Sequence, residues 1–209
     1  MKKYFLNIFL ALVAPAAFSQ TIKISGGLSS ATSGEIRKLL YLDKPLWAGA
    51  GFIGIDYFEH RGYELSSEIG YMQLGGCTDD IMFIDERGRS YPLVSERINY
   101  LHANTTFRLK KSIRRMRFHV GAGPTIGYLL SHTAVVHNYY TPSFLKDNEL
   151  SNVMFGLKPE AGFYYYVKER WLMGLNVSYN LGLFGLGDGG FSTLASRAAL
   201  LQLTLGYRL

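Results

Sequence analysis

Three groups of residues could do chemistry. Ser131-His132, with His137 a few positions on, could supply a nucleophile and its general base, as in a lipid hydrolase. That chemistry also needs a carboxylate to orient the histidine, and no spacing in the chain marks one, so the three read as loop residues. His102 and His119 could share a metal ion across neighbouring strands. Two imidazoles without further ligands read instead as hydrogen-bonded filler. Asp79-Asp80 and Asp85-Glu86 could hold a divalent ion or bridge one to lipopolysaccharide, but the ligand spacing of a dedicated calcium loop is absent. Cys77 is the one cysteine, which excludes an intramolecular disulfide and a cysteine-rich metal site. The expectation is a non-enzyme with no catalytic, metal or cofactor-binding residue.

The elements that carry these residues are clearest at the end of the chain. Leu201, Leu203, Leu205, Tyr207 and Leu209 alternate with Gln202, Thr204, Gly206 and Arg208, a strand with one apolar and one polar face. The same period of two recurs seven more times. Strands are expected at 22–29, 47–58, 63–74, 97–109, 116–130, 154–167, from Trp171 to about 181, and from about 200 to the end. The connections between them alternate long and short: 31–46, 75–95, 131–152 and 184–197 are long, while 59–62, 110–115 and 168–170 are tight. An even strand count, short turns on one side and long loops on the other are the marks of an outer-membrane barrel. The fold class expected is all-β, an eight-stranded antiparallel up-and-down transmembrane β-barrel, apolar outside and polar inside.

The two faces set the orientation. The polar rows carry Lys23, Asp56, Glu64, Glu68, Arg108, Arg117, Lys158, Glu160 and Arg208, near charge balance and interleaved with glycines, which reads as a lumen charge network. The apolar rows carry aromatics near strand ends: Trp47, Tyr57, Tyr63, Tyr71, Tyr128, Tyr165, Trp171 and Tyr207, as lipid-interface girdles do. Eight strands enclose a lumen that side chains can fill, so no wide pore is expected. A soluble lipocalin-like barrel would invert the faces and line an apolar cavity.

The start of the chain reads as a signal peptide, 1–19, leaving a barrel domain over 20–209. Lys2-Lys3 precede an apolar run from Tyr4 to Val13, and Ala17-Phe18-Ser19 offers a cleavage site. The formal charge of +6 falls to +4 without those two lysines, and no basic-aromatic motif accompanies it, so nucleic acid is not an expected partner. Charged residues make up 18% of the chain against about 25% in soluble domains, which fits a surface facing something other than water.

Short motifs then resemble one family. Glu68-Ile69-Gly70-Tyr71-Met72-Gln73-Leu74-Gly75 is similar to the third-strand end of the PorT-like outer-membrane β-barrel family common in Bacteroidota. Gly121-Ala122-Gly123-Pro124-Thr125-Ile126-Gly127-Tyr128-Leu129-Leu130 resembles its fifth strand, and Leu205-Gly206-Tyr207-Arg208-Leu209 its last. Ala103-Asn104 stand where that family usually has Ile-Pro. Strand count, loop alternation and inner charges point to a non-enzymatic structural, adhesive or secretion-accessory role through extracellular loops, with both termini periplasmic; the resemblance implies an eight-stranded outer-membrane barrel, one branch of whose family serves a protein-secretion system. It further implies that Tyr207 and Leu209 serve as an assembly signal for the barrel-assembly machinery. The partners implied are outer-membrane lipid, lipopolysaccharide and an unidentified protein at the loops.

Overall fold

The computed structural model describes residues 19–33, 42–78, 83–84, 90–91, 94–137, 142–145, 152–168, 170–187, 190–193 and 196–209. Eight long strands make the barrel: β1 (Ser19–Ser33), β2 (Leu42–Tyr57), β3 (Tyr63–Thr78), β4 (Val94–Ile113), β5 (Met116–His137), β6 (Val153–Tyr166), β7 (Trp171–Gly187) and β8 (Ser196–Arg208). Each pairs antiparallel with its neighbours in sequence. β8 closes the sheet on β1, with Thr21 opposite Arg208 and Ser33 opposite Ser196. Closure gives every strand two partners and leaves no edge. The signal-peptide reading falls on residues outside those described, apart from Ser19, which opens β1.

The strands outrun the boundaries expected from hydropathy. β5 has 22 residues and β4 has 20, about twice the roughly 9–11 that a tilted crossing needs. The extra length lies mainly on the side of the long connections. There Pro142–Leu145 pairs with the end of β5, Gly190–Thr193 folds back on β7, and Phe83–Ile84 pairs with Ser90–Tyr91. The stretches read as long loops at 31–46, 131–152 and 184–197 therefore hold much strand. Ser131-His132-Thr133 looks like loop by composition but still pairs along β4, opposite Asn99, Ile98 and Arg97.

On the other side the turns are tight. Ile113-Arg114-Arg115-Met116 joins β4 to β5 with Arg114 at a φ of 54°. The turn after β2 is fastened by the His60 N–H donating to the Tyr63 carbonyl at 2.8 Å.

Inward glycines set how closely the interior packs. Gly174 lies opposite Tyr164, and a Cβ there would sit 2.1 Å from the Tyr164 ring. The bare backbone lets Tyr164 lie flat across β7, at the centre of the interior described next.

Candidate functional site

The alternation of β1 to β6 turns eight charged side chains into one buried set. Lys23, Arg108, Arg117 and Lys158 face Asp56, Glu64, Glu68 and Glu160, four cations against four carboxylates, each at most 5% exposed. Arg108 on β4 is the hub. Its Nε donates to Glu160 on β6, its Nη1 reaches Asp56 on β2 at 3.2 Å, and Nη2 lies 3.7 Å from Glu68 on β3. Nη1 also donates to the Tyr164 hydroxyl at 3.0 Å. Lys23 bridges Asp56 at 3.0 Å and Glu68 at 2.7 Å, and Lys158 joins Glu68 at 2.7 Å to Glu160 at 3.2 Å. Most of these pairs skip at least one strand, so they are chords across the lumen. Burying eight charges is tolerable only because each has opposite charges within contact.

Arg208 joins the network only at its edge, through Glu59. Unlike the other eight residues expected in the network, its side chain is 43% exposed, at the short-turn mouth, where it reaches Glu59 at 3.4 Å. β8 ends there, so the inner row has already left the barrel. Glu59 and Lys110 are the network members that sequence reasoning missed. Lys110 is nearly buried and bridges Glu59 at 2.5 Å and Glu64 at 3.2 Å, while Arg117 reaches Glu59 at 3.2 Å. Lys110 is in phase with Arg108 once β4 is carried to Ile113; a strand stopped at Leu109 puts it in a turn.

Partial burial pushes the Glu59 carboxyl up. The Lys110 hydrogen bond and the charges of Lys110, Arg117 and Arg208 outweigh that and hold it below the usual carboxylate range. A lowered value means that ionised Glu59 stabilises the fold above the ordinary carboxylate range and stops doing so as pH falls through its own depressed value. Glu59→Gln should therefore cost about 1 kcal/mol near neutrality, a modest figure for a partly exposed site. The difference from wild type should vanish in acid. Urea midpoints across the pH range check this.

Toward the long-loop end the inner rows become apolar. Phe52, Met72, Leu74, Ile98, Tyr100 and Leu200 pack together with Met154. Asn180 and Ser196 donate to the sulfurs of Met72 and Met154 at 3.5 and 3.3 Å. This plug was not foreseen, although Met72 and Leu74 are in phase with Glu64 and Glu68. His102 and His119 are buried on neighbouring strands, as expected, but they are not hydrogen-bonded filler. His119 stacks on Tyr164 with centroids 4.8 Å apart and His102 meets Phe52 edge-on at 6.5 Å. Neither imidazole has a hydrogen-bond partner among the described residues.

Ser131 and His132 are consecutive on β5, so their side chains leave opposite faces of the sheet. Ser131 Oγ accepts from Asn99 Nδ2 at 2.7 Å. That geometry brings no base to the serine. His137 ends β5; its side chain, and Asp79-Asp80 and Asp85-Glu86, lie outside the described residues. Cys77 is half-buried with its Sγ 3.9 Å from the Lys44 carbonyl.

The outward rows are aliphatic in the middle and aromatic at the ends. Leu203 is 69% exposed, with Ile24, Ile53, Leu205 and Val177 in the same belt. Trp47, Tyr63, Tyr71, Tyr128, Tyr165 and Trp171 are exposed; Tyr57 and Tyr207 are half-buried. Trp171 packs on Tyr207 at 5.1 Å, and Arg170 donates to the Tyr207 hydroxyl at 3.2 Å. Leu209 is exposed beyond β8. On β3 the outward row runs from Tyr63 to Tyr71, roughly 27 Å of strand and about 20 Å along a barrel axis tilted by some 40°. Above Tyr71 a polar ladder begins: Tyr71 Oη and Gln73 Nε2 both donate to Asn99 Oδ1, at 2.6 and 2.9 Å. The apolar-out, polar-in arrangement is the reverse of a lipocalin-like binding barrel.

No protein-family model matches the chain, and comparison with curated proteins finds no relative. Solved structures do share the fold. Neisserial surface protein A matches with a TM-score of 0.53 at 13% identity, over 90% of this chain and 96% of that one. The outer membrane protein OprG from Pseudomonas aeruginosa matches at 0.52 and 10% identity, over 92% and 97%. Outer membrane protein W of E. coli matches at 0.50 and 12%, over 91% and 98%. At such identities the likeness is one of architecture: this chain has the closed eight-stranded fold of small outer-membrane β-barrels.

Proposed function

We propose that the protein is an integral outer-membrane barrel without enzymatic activity, which holds its long connections outside the cell for a structural, adhesive or secretion-accessory role. The observation that carries this is the continuous outward apolar belt around a closed barrel. Monomeric soluble proteins rarely expose contiguous apolar patches beyond a few hundred Å². The aromatic ends of the belt suit the two interfaces, and its height is near the roughly 25 Å of such barrels. In this reading both termini and the tight turns are periplasmic. The interior chords make the lumen a brace, so the loops are the part left to meet lipopolysaccharide or a protein partner. Tyr207 and Leu209 carry the signal read by the assembly machinery, and the strand motifs support a place near the PorT-like family.

The test is gel mobility of the outer-membrane fraction, boiled against unboiled. A heat-dependent shift in that fraction is expected. Recovery in the detergent-free soluble fraction, with no shift, would overturn the proposal.

A further inference from the structure

Among the described residues at the short-turn mouth, basic side chains outnumber acidic ones. Glu59 is already shared by Lys110, Arg117 and Arg208. Arg114 and Arg115 in the β4–β5 turn and Lys168 in the β6–β7 turn are exposed and make no ion pair among the described residues, which do not include Glu169. These three cations border a cleft of about 630 Å³, lined also by Ser112, Tyr166, Val167, Arg208 and the Glu59 carboxylate, whose charge Lys110, Arg117 and Arg208 already pair. The cleft is built on backbone. The Tyr166 N–H donates to the Arg115 carbonyl at 2.9 Å, and the Arg208 N–H to the Arg170 carbonyl at 2.7 Å, tying both turns and β8 into one rim.

Two further features point to a ligand. Arg114 occupies a left-handed backbone position, φ 54°, that hairpins usually give to glycine or asparagine. The cleft also opens where the apolar belt ends: Ile113, Val167 and Trp171 beside it are exposed apolar residues. A phosphate placed among these cations would have hydrocarbon directly alongside.

We propose that this cleft binds the phosphate of an anionic phospholipid, of the phosphatidylglycerol type, whose acyl chains run up the outward faces of β5 and β6. Arg114 and Arg115 supply planar forks suited to phosphate oxygens, and Lys168 a point charge from the opposite turn. The inference rests on the membrane reading above, and it assigns the tight-turn side a lipid-ordering role distinct from that of the loops.

The chain has two tryptophans, Trp47 and Trp171, and the Trp171 carbonyl accepts from the N–H of Val167, which lines the cleft, at 3.0 Å. In a Trp47→Phe background, Trp171 becomes the sole tryptophan. The protein is reconstituted in phosphatidylcholine bilayers containing a small fraction of either brominated phosphatidylglycerol or brominated phosphatidylcholine, and quenching is compared at equal mole fraction. One basic residue near a surface is worth roughly fivefold in attraction of an anionic lipid, so a several-fold excess of quenching by phosphatidylglycerol is expected. The Arg114→Gln, Arg115→Gln, Lys168→Gln triple variant, altered only at exposed positions, should quench equally with both lipids. Equal quenching in the Trp47→Phe parent, or an excess that survives the triple substitution, would overturn the lipid site and leave the membrane reading standing. Quenching by neither lipid would sink both. Loss of the excess when millimolar inorganic phosphate is added would make free phosphate the ligand and overturn the lipid assignment.

Discussion

Arg108→Met should destabilise the barrel by about 3–5 kcal/mol, the cost typical of removing one partner from a buried ion pair. Methionine roughly keeps the volume and length, so the loss is electrostatic. Asp56, Glu68 and Glu160 would each lose the guanidinium they share, and Tyr164 its hydrogen bond, at sites closed to water. Lys23 and Lys158 remain, but each already serves two carboxylates. Urea unfolding of the reconstituted protein measures the difference. Adding Glu160→Gln to Arg108→Met should recover part of the loss, because it removes one of the stranded charges. Additive losses would mean that the two residues do not interact, against the geometry.

Leu203→Arg should cost about 2–4 kcal/mol if the outward belt faces lipid, since arginine is expelled from the middle of a bilayer. Leu203 lies between Gly26 and Leu175 on the neighbouring strands, near mid-height of the belt. The chain already carries Arg197 on the same outward row six residues away, at the long-loop end, so the penalty depends on depth and not on the residue type. The unboiled folded band should weaken for Leu203→Arg. In a water-facing barrel the same substitution would cost nothing or even improve solubility, so unchanged stability would count against a lipid-facing surface.

Much of this was legible in the sequence because a strand writes its two faces at a period of two. Where one face is aliphatic and the other charged, as from Leu201 to Arg208 or Tyr63 to Glu68, strand, face and closure all follow. Boundaries were less legible. Beyond the belt, as in 94–96 and 131–137, polar and apolar residues no longer separate at a period of two, and the alternation fades while the backbone pairing continues. The missed site residues share that cause. Lys110 looked like part of a basic turn, and Glu59 stands in a true turn, where no periodicity exists. The inner apolar plug was hidden for the opposite reason. Phe52, Met72 and Tyr100 each stand next to an outward apolar residue (Ile53, Tyr71, Leu101), and only the phase of the strand says which row points inward. Ser131-His132, read as loop, lies within β5, and adjacency in sequence there sends the two side chains to opposite faces.

The orientation of the outward face is the claim on which the rest depends, and a depth profile along β8 tests it most directly. With Cys77→Ser as background, no native thiol competes, and single cysteines at Ala199, Leu201, Leu203, Leu205 and Tyr207 can each carry a nitroxide label. Collision of the label with oxygen against a water-soluble nickel chelate is then compared in bilayers. A lipid-facing belt gives high oxygen and low nickel accessibility at Leu201, Leu203 and Leu205, with the ratio peaking near Leu203 and falling toward Ala199 and Tyr207. High nickel accessibility at all five positions would contradict it, because the apolar belt would then be facing water.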